Sequence, residues 1–208
     1  MILDAERDEQ TRTLDPPEGP PPPNLTQPSG CHIVATSRLQ YSLQLKETPV
    51  TISTDYRTTV RVNAPADVVF DAVTTTEGLT AWWSRVTGSG LTGGELRFPM
   101  VADQPPLLVR VDEATRPTTV RWTVTECTFM EDWVGTQPTF TITSIDNGSC
   151  EISFEHRGLN DKLECKDMCS RSWDHFIGTS LRELVEGGPG APNRSPRDLA
   201  RRTAEEHG

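Results

Sequence analysis

The sequence predicts an α+β domain with an antiparallel sheet of about six or seven strands, two short helices after the first strand and one long helix near the end. Three observations carry this prediction. Residues 58–83 change from a period of two to a helical period, later runs alternate apolar with polar residues, and residues from 161 onward return to helical spacing. Alternation is typical of antiparallel strands with one covered face, whereas a period near 3.6 is typical of an amphipathic helix.

Residues 58–83 place a strand and two helices in a fixed order. Alternating valines end at Pro65, which cannot donate a backbone hydrogen bond and whose fixed φ suits the first turn of a helix. Apolar residues then recur at helical spacing from Ala66 to the three threonines at 74–76, which are poor helix-interior residues. A second short helix follows and carries the adjacent residues Trp82 and Trp83.

The later strands and the long helix follow from the same two periods. Alternating runs begin near Glu95, Leu107, Val120, Phe140 and Ile152. Asp146-Asn147-Gly148, between the last two runs, is a strong hairpin signal. From residue 161, apolar positions three or four apart predict one helix of about 25 residues, which would measure ~38 Å at the usual rise per residue. The sequence Gly187-Gly188-Pro189 predicts its end.

The composition excludes several classes of function. A net charge of −10 over 208 residues argues against a nucleic-acid surface and against anionic membranes, because both are negatively charged. No apolar run approaches the ~18 residues of a membrane helix, and the acidic N-terminus lacks the apolar segment of a secretory signal. Five cysteines cannot all pair in disulfides. We therefore expect a cytoplasmic protein with reduced cysteines and no cofactor.

Residues 58–83 resemble the opening of the START-like superfamily, also called SRPBCC, which includes the birch-pollen allergen. The closest likeness is to the group named for the activator of heat-shock-protein ATPase, whose members open with a strand, an alanine-proline turn, a Val-Phe-x-Ala helix and a Trp-Trp pair. These motifs stand here as Ala64-Pro65, Val69-Phe70-Asp71-Ala72 and Trp82-Trp83. The resemblance covers residues 56 to about 187 and implies a helix-grip fold, in which a curved sheet grips the long helix.

The chain is accordingly expected to have three parts. Residues 1–49, with six prolines in the eight positions 16–23, are predicted to be a disordered extension, because they bury too little apolar surface to offset the entropy of ordering. The more apolar stretch 31–46 forms an extra strand or stays loose. Residues 50–187 form the START-like domain and residues 188–208 a flexible polar tail. Since nothing before Val50 fits the family pattern, a native start near Val50 at a bacterial valine codon is a further hypothesis, which the intact mass would decide.

The resemblance also implies a cavity between sheet and helix, suited to a small hydrophobic or aromatic molecule. Its implied lining consists of Trp82, Trp83, Trp122, Phe140, Phe154, His156, Trp173 and Phe176. The alternative interpretation is that these residues are simply core.

Few polar residues offer chemistry. His156 lies on the inner face of a predicted strand, where it would be a weak catalytic candidate as a general base, a group that fixes the polar end of a ligand, or a satisfied half-buried histidine. The carboxylates of Glu131 and Asp132 either pair with it or form a solvated turn. Cys165 and Cys169 share a helix face, but a zinc site needs further ligands in tetrahedral geometry. We therefore predict no metal site and two small residues that pack on the sheet.

Three functions remain open. The preferred one is binding of a small hydrophobic or aromatic molecule, so that the protein is more a ligand-binding protein than an enzyme. The second is a polyketide cyclase or dehydratase-like enzyme that uses His156. The third is a co-chaperone-like module with a chaperone partner. It is less favoured because such activators resemble two-domain proteins, and the first 50 residues here are too short and too rich in proline to be expected to form the other domain. A homodimer is possible, and an exposed Trp82 or Trp83 would indicate its face.

Overall fold

The computed structural model describes residues 54–206, and the predictions for residues 1–49 lie outside them. The described residues form a seven-stranded antiparallel sheet in the order β1-β7-β6-β5-β4-β3-β2. The strands are β1 (Tyr56–Val62), β2 (Thr87–Gly88), β3 (Glu95–Phe98), β4 (Leu107–Thr115), β5 (Thr119–Glu126), β6 (Gln137–Ser144) and β7 (Cys150–Arg157). The predicted fold class and helix-grip architecture are confirmed.

Two short helices and one long helix complete the fold. The short helices are α1 (Ala66–Thr74) and α2 (Thr76–Trp82), which follow β1 as predicted. The long helix α3 is continuous but has three segments: an α-helical one (Lys166–His175), a π-helical one (Phe176–Leu181) and a further α-helical one (Arg182–Val185). It spans 20 residues, fewer than the expected length, because Asn160 closes turns with the backbone of Lys162 and Leu163 before the helix begins.

The connection through α1 and α2 crosses the sheet from one edge to the other. Strand β1 forms one edge, where it pairs with β7 from Tyr56 opposite His156 to Val62 opposite Cys150, and β2 forms the other edge. Helix α1 packs against β5, β6 and the last segment of α3. The covered face of the sheet therefore carries both α1 and α3, and the core lies between them and the strands.

An aromatic cluster fills this core, with Trp83 at its centre. The ring centroid of Trp83 lies 4.4 Å from that of Phe98, 5.7 Å from that of Trp122 and 5.2 Å from that of Trp173. Trp82 is also buried, and its indole N–H donates to the backbone oxygen of Ala72 at 2.9 Å. Because both residues of the Trp-Trp pair are buried, neither offers the exposed dimer face that was considered.

The chain after α3 folds back over the end of α2. The backbone N–H of Ala191 donates to Ser180 Oγ at 2.7 Å, and Ser180 Oγ–H donates to the backbone oxygen of Trp82 at 2.6 Å. The backbone N–H of Asn193 donates to the backbone oxygen of Trp83 at 2.7 Å. A final helix, α4 (Pro196–Glu206), follows. The predicted polar tail thus contains a helix, and its flexibility stays a prediction.

Candidate functional site

A pocket of about 380 Å³ opens beside the N-terminal half of α3. Helix α3 contributes one wall, because Cys169, Trp173 and Phe176 lie four and three residues apart on the same helix face. Met168 and Ser172 stand next to them on the helix and also line the pocket. The opposite walls come from the β3–β4 loop, the β5–β6 connection and the chain after α3.

Trp133 forms the second aromatic wall. It ends a 3₁₀ turn (Glu131–Trp133) in the β5–β6 connection, and its backbone oxygen accepts hydrogen bonds from the backbone N–H and hydroxyl of Thr136. Its indole ring stacks on that of Trp173, with a centroid separation of 6.3 Å and an interplanar angle of 13°. Glu131 and Asp132 are exposed, which agrees with the solvated-turn interpretation. Sequence analysis missed Trp133 because the connection has no periodicity that would assign its side chain to a face.

His156 holds Trp173 in place. The indole N–H of Trp173 donates to His156 Nδ1 at 2.9 Å, so this nitrogen carries no proton. The other ring nitrogen, Nε2, therefore carries the proton and lies 2.9 Å from Thr136 Oγ1, which in turn donates to the backbone oxygen of Trp133 at 2.6 Å. This chain of hydrogen bonds links the two tryptophan walls of the pocket through one buried histidine.

The surroundings of His156 keep its ring neutral. Burial lowers the pKa of His156 to about 3, and the negative charge of Asp55 opposes this shift without offsetting it. Both ring nitrogens are already hydrogen-bonded, and the side chain is fully buried and does not line the pocket. The arrangement suits a positioning role for His156 and gives no contact through which it would exchange a proton with a ligand.

The predicted site residues divide into two groups. Trp83, Trp173 and Phe176 line the pocket. The other five are buried in the cluster beneath it and do not reach its surface: Trp82, Trp122, Phe140, Phe154 and His156. Ring contacts join the two groups, for example Trp173 to Phe154 at 4.6 Å. The eight residues thus lie in one aromatic cluster, and their role in binding a ligand stays a prediction.

Sulfur atoms and flexible apolar side chains fill the remaining apolar wall. Met100, Met130 and Met168 line the pocket, and the thiol of Cys169 lies 3.9 Å from the sulfur of Met130. Burial, together with the neighbouring thiol of Cys165, raises the pKa of Cys169 to about 12, so that it is protonated at neutral pH. Within residues 54–206, no group of three or more His, Cys, Asp and Glu side chains is placed to hold a metal ion.

The lining contributed by the chain after α3 is polar and positively charged, and because its two arginines are exposed we call it the mouth of the pocket. The residues that follow α3 contribute Asn193, Arg194 and Arg202 to it. Asp198 is buried behind these residues and accepts hydrogen bonds from the backbone N–H of Arg194 and from the guanidinium groups of Arg202 and Arg201. Burial alone would raise the pKa of Asp198, but the hydrogen bonds from Arg201 and Arg194 outweigh it and hold the pKa below its ordinary value.

A family model described as "Activator of Hsp90 ATPase homolog 1-like protein" matches residues 63–186 of this chain. The chain belongs to this family. The membership confirms the resemblance drawn from the Ala64-Pro65 and Trp82-Trp83 motifs, and it places the domain in the SRPBCC superfamily. A search of the curated proteins finds no match. Among the described residues, no helix has both the length and the apolar character needed to cross a membrane.

Solved structures share the fold of this family member. The Aha1 dimer from Colwellia psychrerythraea is 23% identical, with a TM-score of 0.57 over 66% of this chain and 99% of that one. A protein from Bacillus halodurans is 25% identical, with a TM-score of 0.51 over 64% and 97%. An HSP90 activator from Plasmodium falciparum is 18% identical, with a TM-score of 0.50 over 66% and 99%. At these identities the Colwellia and Plasmodium structures show the fold alone.

Proposed function

We propose that this domain binds a small apolar or aromatic molecule in the pocket beside α3. The observation that carries the proposal is the composition of the wall: ten of the fourteen side chains that line the pocket are apolar, counting Cys169 as apolar. Pockets that bind small molecules commonly have volumes of ~300–1,000 Å³ and are apolar apart from a few placed polar groups. The volume and lining of this pocket fit that description.

The aromatic residues of the wall favour an aromatic ligand. Trp133 and Trp173 present nearly parallel rings, since only 13° separates their planes. The hydrogen bond to His156 fixes the ring of Trp173, and the ring of Trp133 is held by burial and by stacking on Trp173, so little side-chain entropy is lost when a ligand packs against them. Three methionines stand around the rings, and their unbranched side chains adapt to ligands of different outline.

The same lining argues against the cyclase or dehydratase alternative. General acid–base catalysis needs titratable groups that face the substrate and exchange protons near neutral pH. Here the pocket offers the protonated thiol of Cys169 and two arginines, and arginine stays protonated. His156 is neutral and lies behind Trp173. Binding therefore has better support than catalysis, and the co-chaperone alternative has no specific support in the geometry of this site.

A pocket-filling variant tests the proposal. Ser172 lines the pocket, and its hydroxyl bonds only to the backbone oxygen of Met168 within the same helix, so Ser172→Phe adds bulk to the pocket at small structural cost. The probe is N-phenyl-1-naphthylamine, an uncharged aromatic molecule whose fluorescence rises in apolar surroundings. We expect Ser172→Phe to raise its Kd at least ~tenfold, equivalent to ~1.4 kcal/mol.

Thr179→Phe is the matched control, because Thr179 lies on the same helix but is exposed and outside the pocket. We expect Thr179→Phe to leave the Kd within about twofold of the wild-type value. This corresponds to ~0.4 kcal/mol of binding free energy, which is small beside the change expected for Ser172→Phe. Melting temperatures of both variants check that the fold is intact. Equal binding by wild type and Ser172→Phe, or no binding by the wild type, would contradict the proposal.

A further inference from the structure

The charges at the pocket mouth do not balance. Arg201 pairs with Asp198 and Glu205, and Arg202 donates from Nε to the same Asp198. The buried carboxylate of Asp198 thus pairs with two guanidinium groups. In the described part of the chain, the guanidinium of Arg194 has neither a carboxylate partner nor a hydrogen bond. The mouth therefore carries a positive charge without a counter-charge from residues 54–206, in a protein whose net charge is −10.

Among the described residues that line the pocket, none is acidic, Arg194 and Arg202 are the only charged ones, and Asn193 and Ser172 supply the other polar groups. A cationic ligand would therefore meet repulsion at the mouth without a compensating carboxylate, whereas an anionic group would find at least one unpaired guanidinium.

The backbone of Arg194 is held in an unusual conformation. Its φ of 63° lies in the left-handed region, which costs a residue with a side chain roughly 1–2 kcal/mol relative to glycine. Asp198 stabilises this conformation by accepting the backbone N–H of Arg194 at 2.9 Å. A backbone conformation that favours glycine or asparagine is thus occupied by a residue with a long cationic side chain that lines the pocket. Such unfavourable conformations are frequent at functional sites.

The neighbouring residues give the mouth a fixed shape. The backbone N–H of Asn193 donates to Trp83, and the side-chain oxygen of Asn193 accepts from Arg202 Nη2 at 2.9 Å. Arg202 is therefore held by both Asn193 and Asp198. Arg194 is the exposed, unpaired group beside this framework, positioned to close a contact when a ligand is present.

We propose that the ligand carries one anionic group, a carboxylate, phosphate or sulfonate, and that Arg194 binds this group at the mouth while the apolar body packs against the pocket wall that contains Trp133 and Trp173. This inference rests on the proposed function, because it names the chemical class of molecule that the same pocket takes. Arg194 acts as a specificity-determining residue: it separates anionic aromatic molecules from neutral ones of the same shape.

A pair of probes that differ mainly in charge tests the inference. The anionic member is 8-anilinonaphthalene-1-sulfonate, and the neutral member is N-phenyl-1-naphthylamine, which has the same aromatic body without the sulfonate. Both are titrated by fluorescence into the full-length wild type, Arg194→Gln and Ser172→Phe. We expect Arg194→Gln to raise the Kd of the sulfonate about three- to tenfold, the range for a charge-assisted contact at a partly exposed site. The Kd of the neutral probe should stay within about twofold.

Arg171→Gln is the control for long-range charge effects. It removes the same charge from an exposed position on α3 that does not line the pocket. The inference would be overturned if Arg171→Gln raised the Kd of the sulfonate as much as Arg194→Gln does. It would also be overturned if Arg194→Gln changed the Kd of neither probe, or changed both Kd values equally. In those cases, the proposed function would still be supported if the neutral probe binds the wild type and Ser172→Phe weakens that binding. Failure of both probes to bind the wild type would remove the proposed function together with the inference.

Discussion

The two halves of α3 differ in their surroundings. In the C-terminal half, Ile177, Ser180 and Leu181 are fully buried, and the π-helical segment contacts β1 and α2. In the N-terminal half, Trp173 is buried, but Met168 is 54% exposed and the helix borders the pocket. One half of the helix therefore anchors the domain, and the other half provides a wall of the pocket.

The change from α to π geometry falls at the boundary between these halves. A π-helical turn takes up an additional residue, which rotates the following side chains relative to the preceding ones, and such segments are frequent at functional sites. Here the pocket-lining residues of α3 end at Phe176, the first residue of the π segment, and from Ile177 onward its buried residues no longer line the pocket. The difference teaches that a local change of winding separates the part of the helix that borders the pocket from the part that lies wholly in the core.

Truncation of Leu181 tests the anchored half and has the largest expected effect. Leu181→Ala removes a fully buried side chain, and we expect it to lower the free energy of unfolding by ~2–5 kcal/mol through lost burial and a residual cavity. Met168→Ala, on the exposed side of the other half, should lower it by less than ~1 kcal/mol. Urea unfolding of both variants measures the difference. Similar losses in the two variants would break the distinction between the halves.

His156 connects the pocket walls to the core. Its protonation is expected to have the next largest effect on the free energy of unfolding. Its pKa is depressed to about 3 in the folded protein, so the unfolded chain binds the proton more tightly. The stability that depends on neutral His156 is therefore fully present above pH ~6.5 and is lost as the pH falls toward 3, with a slope of up to ~1.4 kcal/mol per pH unit. Unfolding free energies between pH 7 and 5 measure this slope.

His156→Gln isolates the contribution of this residue, because burial also lowers the pKa of His175 and adds a slope of the same sign. The variant should show a shallower pH dependence. At pH 7 it should also be less stable by ~1–3 kcal/mol, since the hydrogen bonds from Trp173 and to Thr136 lose their geometry. An unchanged slope in His156→Gln would show that His156 is not the group that titrates.

The sequence predicted the sheet and the apolar face of α3 better than the hydrogen bonds and the mouth of the pocket. Alternation and helical spacing are local signals, so Pro65, the Trp-Trp pair and the face with Cys169, Trp173 and Phe176 were found without a structure. The hydrogen bonds of His156 join residues 17 and 20 positions away, and no local period reports such pairs.

The pocket mouth was missed for a related reason. Arg194 and Arg202 lie in a polar segment with little apolar face, which predicts a loose tail. What places them at the pocket is a buried carboxylate, Asp198, and the hydrogen bonds of Ser180 and Asn193 to the end of α2. A single aspartate and a single serine give no periodic signal, so only the tertiary structure reveals that this segment forms part of the site.

Removal of the Ser180 hydroxyl has the smallest expected effect on stability. It tests whether the C-terminal half of α3 also fixes the position of the chain that forms the pocket mouth. Ser180 is buried and joins the backbone of Trp82 to that of Ala191. Ser180→Ala leaves these two backbone groups without their partner, so we expect a loss of ~1–2 kcal/mol and faster hydrogen exchange at the Ala191 amide. Ser172→Ala is the control, because its hydroxyl bonds only within the helix and its loss should cost under ~0.5 kcal/mol. If the Ala191 amide exchanges at the wild-type rate in Ser180→Ala, the returning chain is held independently of α3, and the two halves of the helix are not linked through the mouth.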